Sequence, residues 1–277
     1  KEHFDLSYCG APGIKVTPRP EGTKGIVEVE AYSRAKDVKA RFTIMDREGG
    51  EVAQMVSDDL KAVFTIENVH LWHGVEDPYL YTIVAEMLDG GEVTDKISTR
   101  FGVRSFSVDP NKGFLLNGKS FPLHGVSRHQ DFKGLGNAIT KEYHDNDMRL
   151  IREMGCNTVR LAHYQHDQYF YDLCDEYGMV VWAEIPYISE HMPGGRDNTI
   201  HQMKELIIQN YNHPCIVTWG VSNEITISTK DKKDMLDNHR ELNDLCHKMD
   251  PTRVTTLACY AMCNPFGKVV HITDIVS

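Results

Sequence analysis

The spacing of apolar residues changes once along this chain, near Val108, and that change limits what the chain can fold into more than any other feature. Before it, apolar and polar residues alternate in short segments: GIVEVEAYS at 25–33, KARFTIMD at 39–46, AVFTIEN from Ala62, YLYTIVAEML at 79–88, and a last strand through ISTRFGVRSFSV. The turns Glu48-Gly49-Gly50 and Asp89-Gly90-Gly91 separate them. A period of two places alternate side chains on one face of a strand. Several such strands at short spacing predict a small antiparallel sandwich. This half gathers no cluster of acids, histidines or metal-type ligands and reads as scaffold.

After DPNKG at 109–113 the rhythm becomes strand, helix, strand. KSFPLHGV reads as a strand, and TKEYHDNDMRLIREMG as a helix with Thr140 as N-cap and Gly155 just past its end. NTVRLAHY, MVVWAEIP, IVTWGV, RVTTLACY and VVHITDIVS read as further strands. DQYFYDLCDEYG, TIHQMKELIIQNYN and KDKKDMLDNHRELNDLCHKMD read as helices between them. Strands that are apolar throughout are buried on both faces, which predicts a parallel sheet wound with helices, open or closed as a barrel. Polar residues gather just after successive strands: His129, His163, Glu184 and Glu224. A (β/α)₈ barrel presents functional side chains in that way, whereas an open sheet would show a Gly-rich phosphate loop, and no GxGxxG is present. Six strands and about five helices fit the roughly 170 residues after Val108, against about 250 for a complete barrel. The expectation is an incomplete barrel, lacking two strands, that stops within the strand ending ITDIVS.

The net charge of −10 argues against a nucleic-acid partner, which would want a basic face. No apolar run is long enough to span a bilayer. The opening residues KEHFDLSYCG lack a basic stretch followed by an apolar core. The first residue is not Met, so any signal peptide would lie upstream. The seven cysteines are scattered, without a CxxC pair. They predict reduced thiols and, with them, a cytoplasmic protein.

Glu224, with Asn223 beside it and Trp219 upstream, lies too early to cap the next helix, which begins near Asp231. At a barrel mouth this pair suits a general acid next to an amide that binds a substrate hydroxyl. His129 in RHQD and His163 in RLAHY follow adjacent strands and converge on the same mouth. Arg160, opposite Leu161 in its strand, faces the barrel interior and needs a carboxylate partner, either Glu184 or an acid beyond this sequence. His129, His163, Glu184, Glu190 and His191 could together hold zinc, but they lack HxH or HExxH spacing, so no metal ligand is assigned.

FGVRSFSVDPNKGFLLNGKSFPLHGVSRHQD, GCNTVRLAHYQH, CDEYGMVVWAE and NHPCIVTWGVSNE together resemble glycoside hydrolase family 2, and HGVEDPYLYT resembles the late strands of that family's Ig-like domain. The resemblance covers nearly the whole chain. It implies a multidomain β plus α/β protein: residues 1–12 a linker from an absent jelly-roll domain, 13–108 an Ig-like β-sandwich, and 109–277 an incomplete (β/α)₈ TIM barrel. It implies a retaining exo-β-glycosidase, with Glu224 as acid/base, Asn223 on the sugar 2-hydroxyl, His129 and His163 in the sugar pocket, and Arg160 beside the nucleophile. GVSRHQD is closer to β-galactosidases, so a terminal β-galactoside is the expected substrate, with β-glucuronidase as the alternative. A non-catalytic carbohydrate-binding or scaffold protein is the reading from another class. Magnesium is the cofactor the resemblance leaves open, but its ligand pattern is not matched: the family's Glu-x-His is replaced by adjacent Glu190 and His191 in EIPYISEHMPGG. The family's nucleophile follows a seventh strand, so the 277 residues alone are expected to be inactive. An open barrel could pair as a homo-oligomer.

Overall fold

A computed structural model describes residues 3–6, 12–35 and 38–276. Most of the expected linker at residues 1–12, and Cys9 within it, lie outside the described residues. One compact unit comprises the residues up to Leu123 with Asp175–Gly178 and Gln209–Pro214; the remainder forms the other.

In the first unit, seven strands follow in order: β1 (Ile14–Glu21), β2 (Lys24–Ala31), β3 (Lys39–Met45), β4 (Glu51–Ser57), β5 (Lys61–Ile66), β6 (Tyr81–Asp89) and β7 (Glu92–Phe101). They form two antiparallel sheets, ordered β1-β2-β5 and β4-β3-β6-β7. The core is the inward set of the alternation: Val27, Val29 and Ala31 from one sheet meet Ala40, Phe42, Ile44, Ile83, Ala85 and Met87 from the other. This is the sandwich expected from the period-two pattern. Asp89 pairs with Glu92 across a two-residue turn, and Gly90 and Gly91 both take positive φ, 59° and 93°. Such a turn matches the twist of its strands but requires residues that tolerate left-handed backbone.

Two expected strands are divided. ISTRFGVRSFSV supplies the end of β7 and then β8 (Phe106–Asp109), which belongs with β9 (Gly113–Leu116) and β10 (Lys119–Ser120) in a separate antiparallel sheet. KSFPLHGV likewise splits into β10 and the start of β11 (Gly125–Arg128).

The second unit is built on a parallel sheet of β11, β12 (Thr158–Leu161), β13 (Val180–Glu184), β14 (Ile216–Asn223), β15 (Val254–Ala258) and β16 (Ile275–Val276). Each strand pairs with the next in sequence. Helices α1 (Lys141–Glu153), α2 (Gln168–Tyr177), α3 (Arg196–Asn210) and α4 (Lys232–Met249) make the first four crossovers. Strictly sequential parallel order without a reversal is barrel-like, since a doubly wound sheet changes direction at a switch point. β14 is buried along its whole length.

Thr140 stands at the N-cap position of α1 in extended conformation but makes no side-chain cap bond, its hydroxyl donating to Glu142 instead, and Gly155 follows that helix at φ 75°. The Asp231 side chain accepts the Asp234 amide at the start of α4 (3.0 Å), a stabilising N-cap. The fifth crossover carries only a 3₁₀ turn, Lys268–His271, so four α-helices are present among the described residues where about five were expected. Asp274, expected inside the last strand, precedes it. Its carboxylate accepts the Thr255 amide (2.8 Å). The six described cysteines are free thiols. Among the described residues, no helix is long and apolar enough to cross a membrane.

Candidate active site

The parallel register carries the polar residues to one end of the sheet. Arg160 stands opposite Ser127 on β11 and Trp182 on β13. Alternation along β12 buries Val159 and Leu161 and turns Arg160 the other way. Its guanidinium meets Glu184, the last residue of β13, through Nε (3.1 Å) and Nη2 (2.9 Å). The same Nη2 donates to Asn223 Oδ1 (2.7 Å), and the guanidinium stacks over Trp182 at 4.2 Å. Glu184 is thus the carboxylate partner that Arg160 needed. A β-carbon on Gly220 would stand 2.4 Å from Trp182 Nε1 and 2.5 Å from Glu184 Cβ. Glycine at that point of β14 is what leaves room for the pair.

His163 follows β12 and also meets Glu184, with Nδ1 2.5 Å from Oε1. His129 follows β11; its ring stands edge-on to His163 with centroids 5.1 Å apart. The backbone after His129 is fixed to the next loop, since the Gln130 amide donates to Tyr164 Oη (3.0 Å) and the Asp167 amide to Gln130 Oε1 (2.7 Å). Full burial pushes the Glu184 carboxyl above its usual range, against the opposing pull of Arg160 and then His163.

Asn223 ends β14 and Glu224 follows in left-handed backbone, φ 49°. A non-glycine residue there is uncommon, and such strain concentrates at functional sites. The Glu224 amide donates to Ala258 O at the end of β15 (2.8 Å), and its carbonyl accepts the Ile227 amide (3.1 Å). Its carboxylate is half-buried and has no hydrogen-bond or ion-pair partner among the described residues. The Asn223 amide oxygen is occupied by Arg160. Four of the residues singled out from the sequence are thus linked through Glu184, from His129 through His163 and Arg160 to Asn223, and Glu224 is the next residue in the chain after Asn223.

Two hydrogen-bonded groups around the site were not foreseen as networks. Buried Arg128, the residue before His129, donates to Asp147 Oδ2 (2.9 Å), His166 Nδ1 (3.0 Å) and His144 Nδ1 (3.0 Å). It also lies 3.9 Å over the Phe170 ring. Arginine can only donate, so both Nδ1 atoms accept; burial accordingly pushes His166 down to about 3 and also lowers His144. The second group is Tyr187, His191, Thr229 and Asp234. His191 Nδ1 meets Tyr187 Oη (2.5 Å) and Nε2 meets Asp234 Oδ2 (2.7 Å). With both ring nitrogens engaged and Glu190 exposed on the surface, this pair does not fit a magnesium site. Of these residues the sequence singles out only His191, as a possible zinc ligand, because the partners within each group are far apart in sequence.

The sequence matches glycosyl hydrolases family 2, TIM barrel domain, over residues 108–274, and glycosyl hydrolases family 2 over residues 12–104. The chain belongs to glycosyl hydrolases family 2. A β-glucuronidase of Bacteroides fragilis is 36% identical over 98% of this chain and 41% of its own length. The crystal structure of an FMN-binding β-glucuronidase from Facaelibacterium prausnitzii L2-6 matches with a TM-score of 0.95 and 44% identity, over 99% of this chain and 44% of that one. A β-galactosidase of Thermoanaerobacterium thermosulfurigenes is 33% identical over 83% of this chain and 32% of its own. The chain spans less than half the length of each of these relatives.

Proposed function

We propose that the protein carrying this chain is a retaining exo-β-glycosidase with Glu224 as its general acid and base. The observation that carries the reading is the end of β14, where an unpartnered carboxylate stands beside an amide whose oxygen is already held by Arg160. In the first step Glu224 gives its proton to the glycosidic oxygen while a nucleophilic carboxylate attacks the anomeric carbon. The C1–O bond breaks and the aglycone leaves as an alcohol. In the second step Glu224, now a carboxylate, takes a proton from water. The water oxygen attacks C1, and the sugar departs from the nucleophile. Asn223 holds the sugar by a hydroxyl, and His129 and His163 line the pocket.

The nucleophile must lie about 5–5.5 Å from the acid in a retaining enzyme. Glu184 is engaged by Arg160 and His163, and the reading assigns the nucleophile to a seventh strand outside these 277 residues. No step uses magnesium.

The sugar we assign is a terminal β-D-glucuronide, because the relatives at 44% and 36% identity are named β-glucuronidases. A terminal β-galactoside is the second reading, supported by the GVSRHQD stretch and the β-galactosidase at 33% identity. Turnover of a panel of nitrophenyl β-glycosides by the full-length protein and its Glu224→Gln variant tests both. The expected result is one preferred sugar, the glucuronide, with kcat lowered about 10²- to 10⁴-fold in the variant. Preference for galactoside would select the second reading. Absence of turnover on every sugar would support a carbohydrate-binding protein instead.

A further inference from the structure

The Glu224 backbone sits in a conformation that an L-residue adopts at a cost, and the turn after it is held at several points. The Thr229 hydroxyl donates to Ile225 O and accepts the His191 amide (2.8 Å). The Ser228 amide donates to Ser189 O (3.0 Å), and the Ser189 amide to Asn223 O (3.0 Å). The Asn223 amide donates to Tyr187 O (2.9 Å). The segment 187–191 after β13 is thereby laced to the segment 223–229 that carries the carboxylate.

The ring of His191 anchors this lacing. Asp234 can only accept, so Nε2 carries a proton, and in the neutral imidazole Nδ1 then accepts the Tyr187 hydroxyl. The same Asp234 takes Arg196 at the head of α3 (2.8 Å). His191 and Thr229 are both buried, and neither has a part in the proton transfers above.

We infer that Thr229 and His191 are positioning residues for the general acid: they fix the turn of Glu224 so that its carboxyl meets the glycosidic oxygen. The inference rests on the assignment of Glu224 as the acid. It makes a prediction that general damage to the fold would not reproduce. A misplaced acid harms substrates whose leaving group needs a proton and spares those whose leaving group departs as a stable anion. Loss of folded enzyme lowers both alike.

The test is kcat/KM of the full-length protein on a methyl β-glycoside and a 2,4-dinitrophenyl β-glycoside of its preferred sugar. Thr229→Val should lower the first about 10- to 100-fold and change the second by less than about twofold. His191→Gln should follow the same pattern, and Thr229→Ser, which keeps the hydroxyl, should restore the methyl glycoside. Equal losses on both substrates, or no loss on either, would overturn the inference. Glu224→Gln measured alongside separates the two levels. If it shows the leaving-group pattern and Thr229→Val does not, the positioning role fails and the acid stands. If Glu224→Gln itself shows no such pattern, the acid assignment fails and the positioning role with it.

Discussion

Arg160 shows how one side chain organises this site. It neutralises Glu184, orients the Asn223 amide and covers the Trp182 ring. Glu184 is fully buried while Arg160 keeps some exposure, so the acid depends on the pairing more than the arginine does. Glu184→Gln would leave the guanidinium without its counter-charge, and removing one partner of a buried pair costs about 3–5 kcal/mol. Urea unfolding should show a loss of that order; a change below about 1 kcal/mol would mean that the pair contributes little. Much at this scale was legible in the sequence. Alternation with Leu161 told which way Arg160 faces, and a buried guanidinium demands an acid. Thr229 and Tyr187 were not legible, and His191 was legible only as a possible zinc ligand: Thr229 meets His191 across 38 positions, and their role emerges only when the register joins the loops.

At the scale of elements, the expected strands came from alternation, so those without it escaped. β1 carries Pro18 and Pro20 and lies at the edge of its sheet, where proline is tolerated because no ladder bond is lost. β4 is the edge of the other sheet and exposed on both faces for most of its length, which erases the period. The last crossover lacks a helical pattern and forms none. Helix α4 makes a pH prediction. His239 is buried there; its Nδ1–H donates to Met235 O (2.8 Å) and its Nε2 accepts the Ser222 hydroxyl (2.8 Å). Burial pushes its pKa down to about 4, as it pushes His166 to about 3. Both would titrate near 6.5 in the unfolded chain. Between 6.5 and those values the unfolded state binds more protons, so stability is fully present above 6.5 and falls on acidification. The slope is about 1 kcal/mol per pH unit for each histidine. Glu184, pushed upward, acts against this slope, so the comparison with His239→Gln is the informative one. The urea midpoint should decline from pH 7 to pH 4.5, and less steeply in that variant; identical slopes would contradict the assignment.

At the scale of the molecule, a sandwich precedes a run of sequential parallel strands whose C-terminal ends gather the polar residues. The rhythm change near Val108 announced that arrangement, since sheet faces and barrel strands require different apolar periods. The sugar was not legible to the same degree. GVSRHQD pointed to a galactoside, whereas the relatives at 44% and 36% identity are named β-glucuronidases. The central claim is that Glu224 is the acid/base of a double displacement, and chemical rescue of Glu224→Ala in the full-length protein tests it most directly. On a 2,4-dinitrophenyl β-glycoside the first displacement needs no acid, while the second stalls without a base, and added azide can attack C1 without one. The account predicts that azide accelerates turnover and that the product is the β-glycosyl azide. An α-glycosyl azide would make Glu224 the nucleophile, and no acceleration by azide would remove it from the chemistry.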